Sequence, residues 1–213
     1  MRRYRRLLGE LDRWFGAVQA ANADQLQCRR GCALCCHGLF DISLPDSALL
    51  LDGLRALRGP TLAEARDRAR LLHSAILSQT PELGPPYLLG GMAAERIDRI
   101  SEAVEGAKCP LLSDQDECLV YAHRPLACRL EGVPMVDSLD GVFGDWCELN
   151  FAQGIPRQAQ AGLALDYGGI QELEDGLTEQ LSLQLFGRSQ RSVTVFIPSL
   201  LAEFDSFWNA ALP

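Results

Sequence analysis

The chain has 213 residues, 47% of them hydrophobic, and a formal net charge of −8 at pH 7. That length fits one domain with terminal elaborations, and that composition is ample for a core. The acidic balance argues against nucleic acid as the main partner, because phosphate binding draws on a surplus of basic residues.

The N-terminal Met1-Arg2-Arg3-Tyr4-Arg5-Arg6 resembles the basic start of a secretory signal, but Glu10, Asp12 and Arg13 break the apolar run that should follow. Leu7, Leu8, Leu11, Trp14, Phe15 and Val18 instead recur at helical spacing, which predicts an amphipathic helix from Tyr4 to Ala21. Phe40 to Leu44 reads as a short extended piece, and Ser43 or Asp46 starts a helix near Pro45 that runs to Leu57. A further helix is expected from Thr61 to Gln79, with Leu62, Ala65, Ala69, Leu72 and Ile76 on one face. After a proline-rich loop comes a third, from Met92 to Val104. Between Cys109 and Cys147 the helical period disappears, and Pro110, Pro125, Gly132, Pro134, Gly141 and Gly144 divide the chain into short strands, turns and one helical turn. Helices follow at Pro156 to Leu165, Ile170 to Phe186 and Leu200 to Leu212, with a strand at Ser192 to Ile197. The most apolar late stretch, Val193 to Ala202, is too short to span a bilayer and contains Pro198. The expected fold is mainly α, a single domain of helices packed around an irregular cysteine-rich core at about 28–147. The expected setting is cytoplasmic, with no membrane partner, where thiols stay reduced and disulfides are rare.

All eight cysteines fall in two groups: Cys28, Cys32, Cys35 and Cys36, then Cys109, Cys118, Cys128 and Cys147. Cysteines used as small core hydrophobes would be scattered among the leucine and alanine positions. The first group's spacings, three or fewer residues between cysteines, suit tetrahedral zinc or an iron–sulfur cluster, and the second group supplies the remaining half, so all eight are candidate metal ligands. The vicinal Cys35 and Cys36 are expected to point apart and to divide between two metals, or between a ligand and a supporting thiol. Pro125 fixes Arg124 as extended and suits the start of a helical turn, which would aim backbone N–H groups at Cys128. Arg29, Arg30, Lys108, Arg124 and Arg129 flank the cysteines and could offset thiolate charge, the alternative being a solvated surface. His37 and His123 lie beside cysteines and could replace one as ligand, but eight sulfurs already fill two tetrahedral sites, so a supporting or solvent-exposed role is expected for them and a structural one for His73. The two groups are expected to meet in space.

These residues resemble a known family. Cys28-x-x-x-Cys32-x-x-Cys35-Cys36, followed by Cys109-Pro-x-Leu, by Cys118-x-x-Tyr121-x-x-Arg124-Pro125-x-x-Cys128-Arg129 and by Cys147, is similar to the YkgJ-type cysteine-cluster family of zinc- or iron-chelating proteins. The resemblance covers about residues 28 to 147 and implies metal binding. Some relatives resemble flagellin lysine-N-methylases, which implies an iron–sulfur-dependent protein-modification or redox enzyme with a protein substrate as one alternative. A structural zinc scaffold that engages a protein partner is the other. The triplet at Cys28, Cys32 and Cys35 also has the spacing of radical S-adenosylmethionine enzymes. Leu34 replaces their aromatic residue, and the repeated strand–helix pattern of their barrel is missing. No hydrolytic triad order, phosphate loop or dinucleotide fingerprint occurs.

Overall fold

The computed structural model describes residues 1–137, 141–144 and 146–212. Helix α1 (Arg2–Ala21) buries Tyr4, Leu8, Leu11 and Val18 as one stripe, which is what the apolar period dictated. A short strand β1 (Asp41–Ser43) runs directly into α2 (Leu44–Ala56). Ser43 is the N-cap, its Oγ accepting the Asp46 N–H at 3.3 Å, and Pro45 supplies a preset φ in the first turn. Helix α2 is buried on nearly every side, the condition of a helix at the centre of a core rather than on its surface.

Around α2 the remaining elements close. Helix α3 (Gly59–Gln79) turns Ala65, Ala69, His73 and Ile76 inward, and α4 (Ala94–Ala103) follows after the proline loop. The second cysteine segment carries a 3-10 turn (Tyr121–His123), the one-turn helix α5 (Leu126–Leu130), and the hairpin β2 (Met135–Asp137) with β3 (Gly141–Phe143). Then come the single turn α6 (Arg157–Gln160), the long α7 (Tyr167–Phe186) and β4 (Thr194–Phe196) leading into α8 (Ile197–Ala202). Strands β1 and β4 pair antiparallel, Ile42 opposite Val195. This pairing brings two β-to-helix corners side by side, so that α2 and α8 share a core with Ile42, Val195, Leu200 and Trp208. Tyr4, Leu8 and Leu11 meet Leu49, Leu126, Leu130 and Ile170 in a second core, which seats α1 against α2, α5 and α7.

Two expected helices are shorter than the sequence suggested. Pro156 to Leu165 keeps only α6, because the backbone beyond it pairs with β2: Leu163 C=O accepts the Val136 N–H and Leu165 N–H donates to Val136 C=O, both at 3.0 Å. Leu200 to Leu212 is divided into α8, a π-helical turn (Phe204–Trp208) and α9 (Asn209–Ala211). The wider turn lets both Phe204 and Trp208 bury.

Candidate metal centre

The first cysteine segment leaves α1 through buried Leu26, and Gln19 Nε2 donates to the Cys28 carbonyl at 2.5 Å. Gly31, at φ +81°, makes the turn that a side-chain-bearing residue would resist. A 3-10 turn over Leu34–Cys36 follows. Cys36 C=O then accepts the Cys109 N–H at 2.9 Å, and His37 bridges Lys108. The two cysteine groups therefore meet through main-chain bonds. His37 Nδ1 itself lies 3.0 Å from Ala33 C=O, a local contact rather than a site contact.

In the second segment Leu112 bridges Cys118, with Leu119 N–H donating to Leu111 C=O at 2.9 Å. This tight ladder aims the Leu111 N–H at the Cys109 sulfur and the Val120 N–H at the Cys118 sulfur, and both lower the pKa of the thiol they reach. Such donors favour sulfur-bound negative charge. Cys128 sits on α5, and Cys147 follows the hairpin, its N–H donating to Gly132 C=O at 3.3 Å. Asn150, 1% exposed, joins that end to the first segment. Its Nδ2 donates to Cys28 Sγ at 3.3 Å and to Gly132 C=O at 2.6 Å, while its Oδ1 accepts the Gln27 N–H at 2.8 Å.

Cys32, Cys35, Cys36, Cys109, Cys118 and Cys128 line one cavity of about 480 Å³, whose walls include Phe40, Leu50, Leu111, Val120 and Ile197. All eight cysteines are free of disulfides; Cys35 is exposed and the other seven are half-buried. Burial pushes the Cys109 thiol up to about 11, against the pull of the Leu111 N–H. Cys128 is raised by burial and then by Cys109, Asp46, Cys118 and Cys35. Cys28 is raised by burial and by Cys32, Cys35 and Cys147, with Asn150 acting the other way. Cys35 is raised first by its hydrogen bond with the Cys36 thiol, then by burial. Crowded thiols that raise one another's pKa are what a cation among them reverses, since it favours the thiolate. The donors are soft sulfurs throughout, which fits zinc or iron rather than calcium or magnesium. Among the described residues no three His, Cys, Asp or Glu side chains stand in a ready-made metal-holding group.

Three local expectations are corrected. Cys35 and Cys36 do not point apart; their thiols are in hydrogen-bond contact and line the same cavity. The Leu126 N–H after Pro125 does not face Cys128. It donates to the Asp46 carboxylate, at 3.0 and 2.9 Å from its two oxygens. Arg129 faces the acid Asp12 and the carbonyls of Arg124 and Ala122 rather than the sulfurs. Arg30 pairs with Glu117, and Lys108 with Asp116. Of the flanking cations named from sequence, Arg124 lowers the pKa of a thiol, that of Cys118. Sequence reasoning missed Arg68, whose charge lowers Cys109 and whose guanidinium donates to Pro110 C=O. It also missed Asn150 and Asp46, since a lone amide and an N-terminal-turn aspartate carry no spacing signal.

A family model described as a putative zinc- or iron-chelating domain, CxxCxxCC, matches residues 27–148, more than half of the chain. The comparisons with curated proteins and with solved structures give no match. The matched span begins one residue before the first cysteine of the site and ends one after the last, so the chain belongs to the CxxCxxCC family of zinc- or iron-chelating domains.

Proposed function

We propose that the protein is a cytoplasmic metal–thiolate protein whose eight cysteines, Cys28, Cys32, Cys35, Cys36, Cys109, Cys118, Cys128 and Cys147, hold an iron–sulfur cluster or zinc. The observation that carries this reading is the convergence of six of them on a single cavity of about 480 Å³. The cavity opens to solvent beside exposed Cys35 and Tyr121, and its thiols and apolar walls are poor partners for water. A polyatomic iron–sulfur group suits that volume better than one zinc ion, which draws four sulfurs to about 2.3 Å. A bound cluster supplies one-electron chemistry. The chain's own residues hold thiolates toward it with the Leu111 and Val120 N–H groups, and hold Cys28 through Asn150. The cytoplasmic setting rests on free thiols and on the lack, among the described residues, of a helix long and apolar enough to cross a membrane.

Anaerobic purification with iron, sulfide and zinc analysis and a visible spectrum tests the reading. Stoichiometric iron with sulfide supports the cluster, and zinc alone supports the structural scaffold. Metal-free protein with a native fold and eight reactive thiols overturns both. The apolar walls at Phe40, Leu50 and Ile197 favour a second reading, a cluster-dependent protein-modification or redox enzyme that takes its substrate beside the metal.

A further inference from the structure

Two exposed helix faces of this chain carry opposite charge, and neither finds a partner within it. On α1 the buried stripe of Tyr4, Leu8, Leu11 and Val18 leaves Arg2, Arg6 and Arg13 along the opposite, solvent-facing ridge. On α4 buried Ile100 leaves Glu95, Asp98 and Glu102 outward, with exposed Glu105 just past the helix end. Charges of these helices that lean on the body of the protein are used: Arg5 pairs with Asp52, Asp12 takes Arg124 and Arg129, and Arg96 pairs with Glu82. The ridge charges are not. Among the described residues, none of those arginines or acids makes a side-chain hydrogen bond or ion pair. Gly9 lies between Arg6 and Arg13 on the basic ridge. A Cβ there would meet only the tip of Arg13, at 3.9 Å, so packing within the chain does not require a glycine that weakens a helix interior. Its bare backbone lets a second helix come close.

We propose that these two faces bind each other between copies of this chain, the α1 ridge of one copy lying antiparallel on the α4 ridge of the next. The spacing matches. Arg6 and Arg13 stand two helical turns apart, as do Glu95 and Glu102, about 10 Å of helix in each case. With Arg6 opposite Glu102 and Arg13 opposite Glu95, Arg2 falls opposite Glu105. Glu10, the acid on the edge of the basic ridge, then meets Arg99, the arginine on the edge of the acidic ridge, on the same side of the seam. Asp98 comes over Gly9, beside the Arg13 guanidinium. Like charge rules out the symmetric alternatives, α1 on α1 or α4 on α4. The contact is therefore heterologous: each copy offers both faces, and association continues past a dimer. Ion pairs this exposed are individually weak and screened by salt, so the assembly is of low affinity and salt-sensitive. None of these residues lines the cysteine cavity, and the contact is independent of what the thiols hold.

Sedimentation velocity of the purified full chain tests this, with metal content matched in every sample. In about 20 mM salt the parent protein should show concentration-dependent species larger than a dimer, and in about 500 mM salt it should sediment as a monomer. Two double variants at exposed positions, Arg6→Glu with Arg13→Glu and Glu95→Arg with Glu102→Arg, each place one sign of charge on both faces. Each should stay monomeric at low salt. Mixed in equal amounts they should assemble again, because each then complements the other. A parent protein that is monomeric at low salt, an assembly that survives high salt, variants that associate alone, or a mixture that stays monomeric would each overturn the contact. Binding of a monomeric parent to anionic phospholipid vesicles through Arg6 and Arg13 would assign the basic ridge to a membrane surface instead of a second copy. The salt dependence needs only the parent protein, so a variant that fails to fold does not blunt it.

Discussion

Substituting Glu174 by Gln tests the buried acid network that holds the Cys128 helix in place. Tyr4 Oη lies 2.8 Å from Asp46 Oδ1 and 2.7 Å from Glu174 Oε1, and Ser43 Oγ donates to Glu174 at 2.8 Å. One phenolic proton serves one of those two contacts; the other requires that a carboxyl supply a proton. Burial and then the Glu174 charge push Asp46 up to about 8, and burial raises Glu174 as well. The folded state therefore keeps a proton near neutrality that the unfolded chain, with carboxyls near 4, releases. A raised folded pKa contributes stability that is complete below the unfolded value and is lost as pH rises through about 8. The slope is about 1.4 kcal/mol per pH unit for one retained proton. Glu174→Gln removes the like charge, so Asp46 ionises at lower pH while Tyr4 donates to it. Burial, the larger cause of the Asp46 shift, persists in the variant. Between pH 6 and pH 8 the parent protein should therefore lose more unfolding free energy than the variant by about 1 kcal/mol, less than the roughly 2–3 kcal/mol that one fully retained proton would give. Urea unfolding of both proteins at equal metal content measures it. A difference that stays constant to within about 0.5 kcal/mol over that range would show that the pair holds no shared proton.

Gly53→Ala should destabilise the protein although alanine is the better helix former. A Cβ there would stand 2.9 Å from His123 Cβ and 3.0 Å from Val120 Cβ, and overpacking of about 1–3 kcal/mol exceeds a propensity gain of about 1 kcal/mol; thermal unfolding checks the sign. Asn150→Ala strands the Gln27 N–H, leaves the Gly132 carbonyl with the longer Cys147 N–H bond, and removes the donor to Cys28. It should cost about 2–4 kcal/mol and lower metal retention during chelator challenge, and unchanged values in both assays would remove Asn150 from the site. Arg129→Met should cost about 1–3 kcal/mol by denaturant titration, because the 4% exposed side chain leaves two carbonyls without their donor.

Where the sequence carried a period or a capping residue, the structure follows it closely. The α1 stripe, the Ser43 cap and the start of the 109–147 irregularity at Cys109 were legible because each depends on residues within a few positions. What escaped depends on partners far along the chain. The β1–β4 pairing joins Asp41–Ser43 to Thr194–Phe196, and three-residue strands carry too little alternation to announce it. The same pairing logic, acting through Val136, ended the expected 156–165 helix early. Within the site the cysteine positions were legible, but the contacts that join the two segments were not: the Cys36 carbonyl takes the Cys109 N–H, and Asn150 donates through its side chain to Cys28 Sγ and through its backbone N–H to the Cys147 carbonyl.

The cations of the second motif illustrate how a motif can mislead about charge while being right about place. Arg124 stacks on the Tyr121 ring at 3.7 Å and reaches Asp12, and Arg129 reaches the same Asp12 of α1. Arg129 also gathers the Ala122 and Arg124 carbonyls into one guanidinium, while Asp46 of α2 takes the Leu126 N–H. Tyr121, Arg124, Pro125 and Arg129 thus fasten the turn before Cys128 to two helices at once. A thiolate centre needs sulfurs that do not drift, because metal affinity falls when ligands must be reordered on binding. The motif meets that need by fixing backbone. The sulfurs are favoured as thiolates by the N–H groups of Leu111 and Val120, by Arg124 of the motif at Cys118, and by Arg68, which reaches Cys109 from α3. That division explains why a helix outside the cysteine segments belongs to the site: α3 packs on α8 for the fold, and lends one guanidinium to the chemistry.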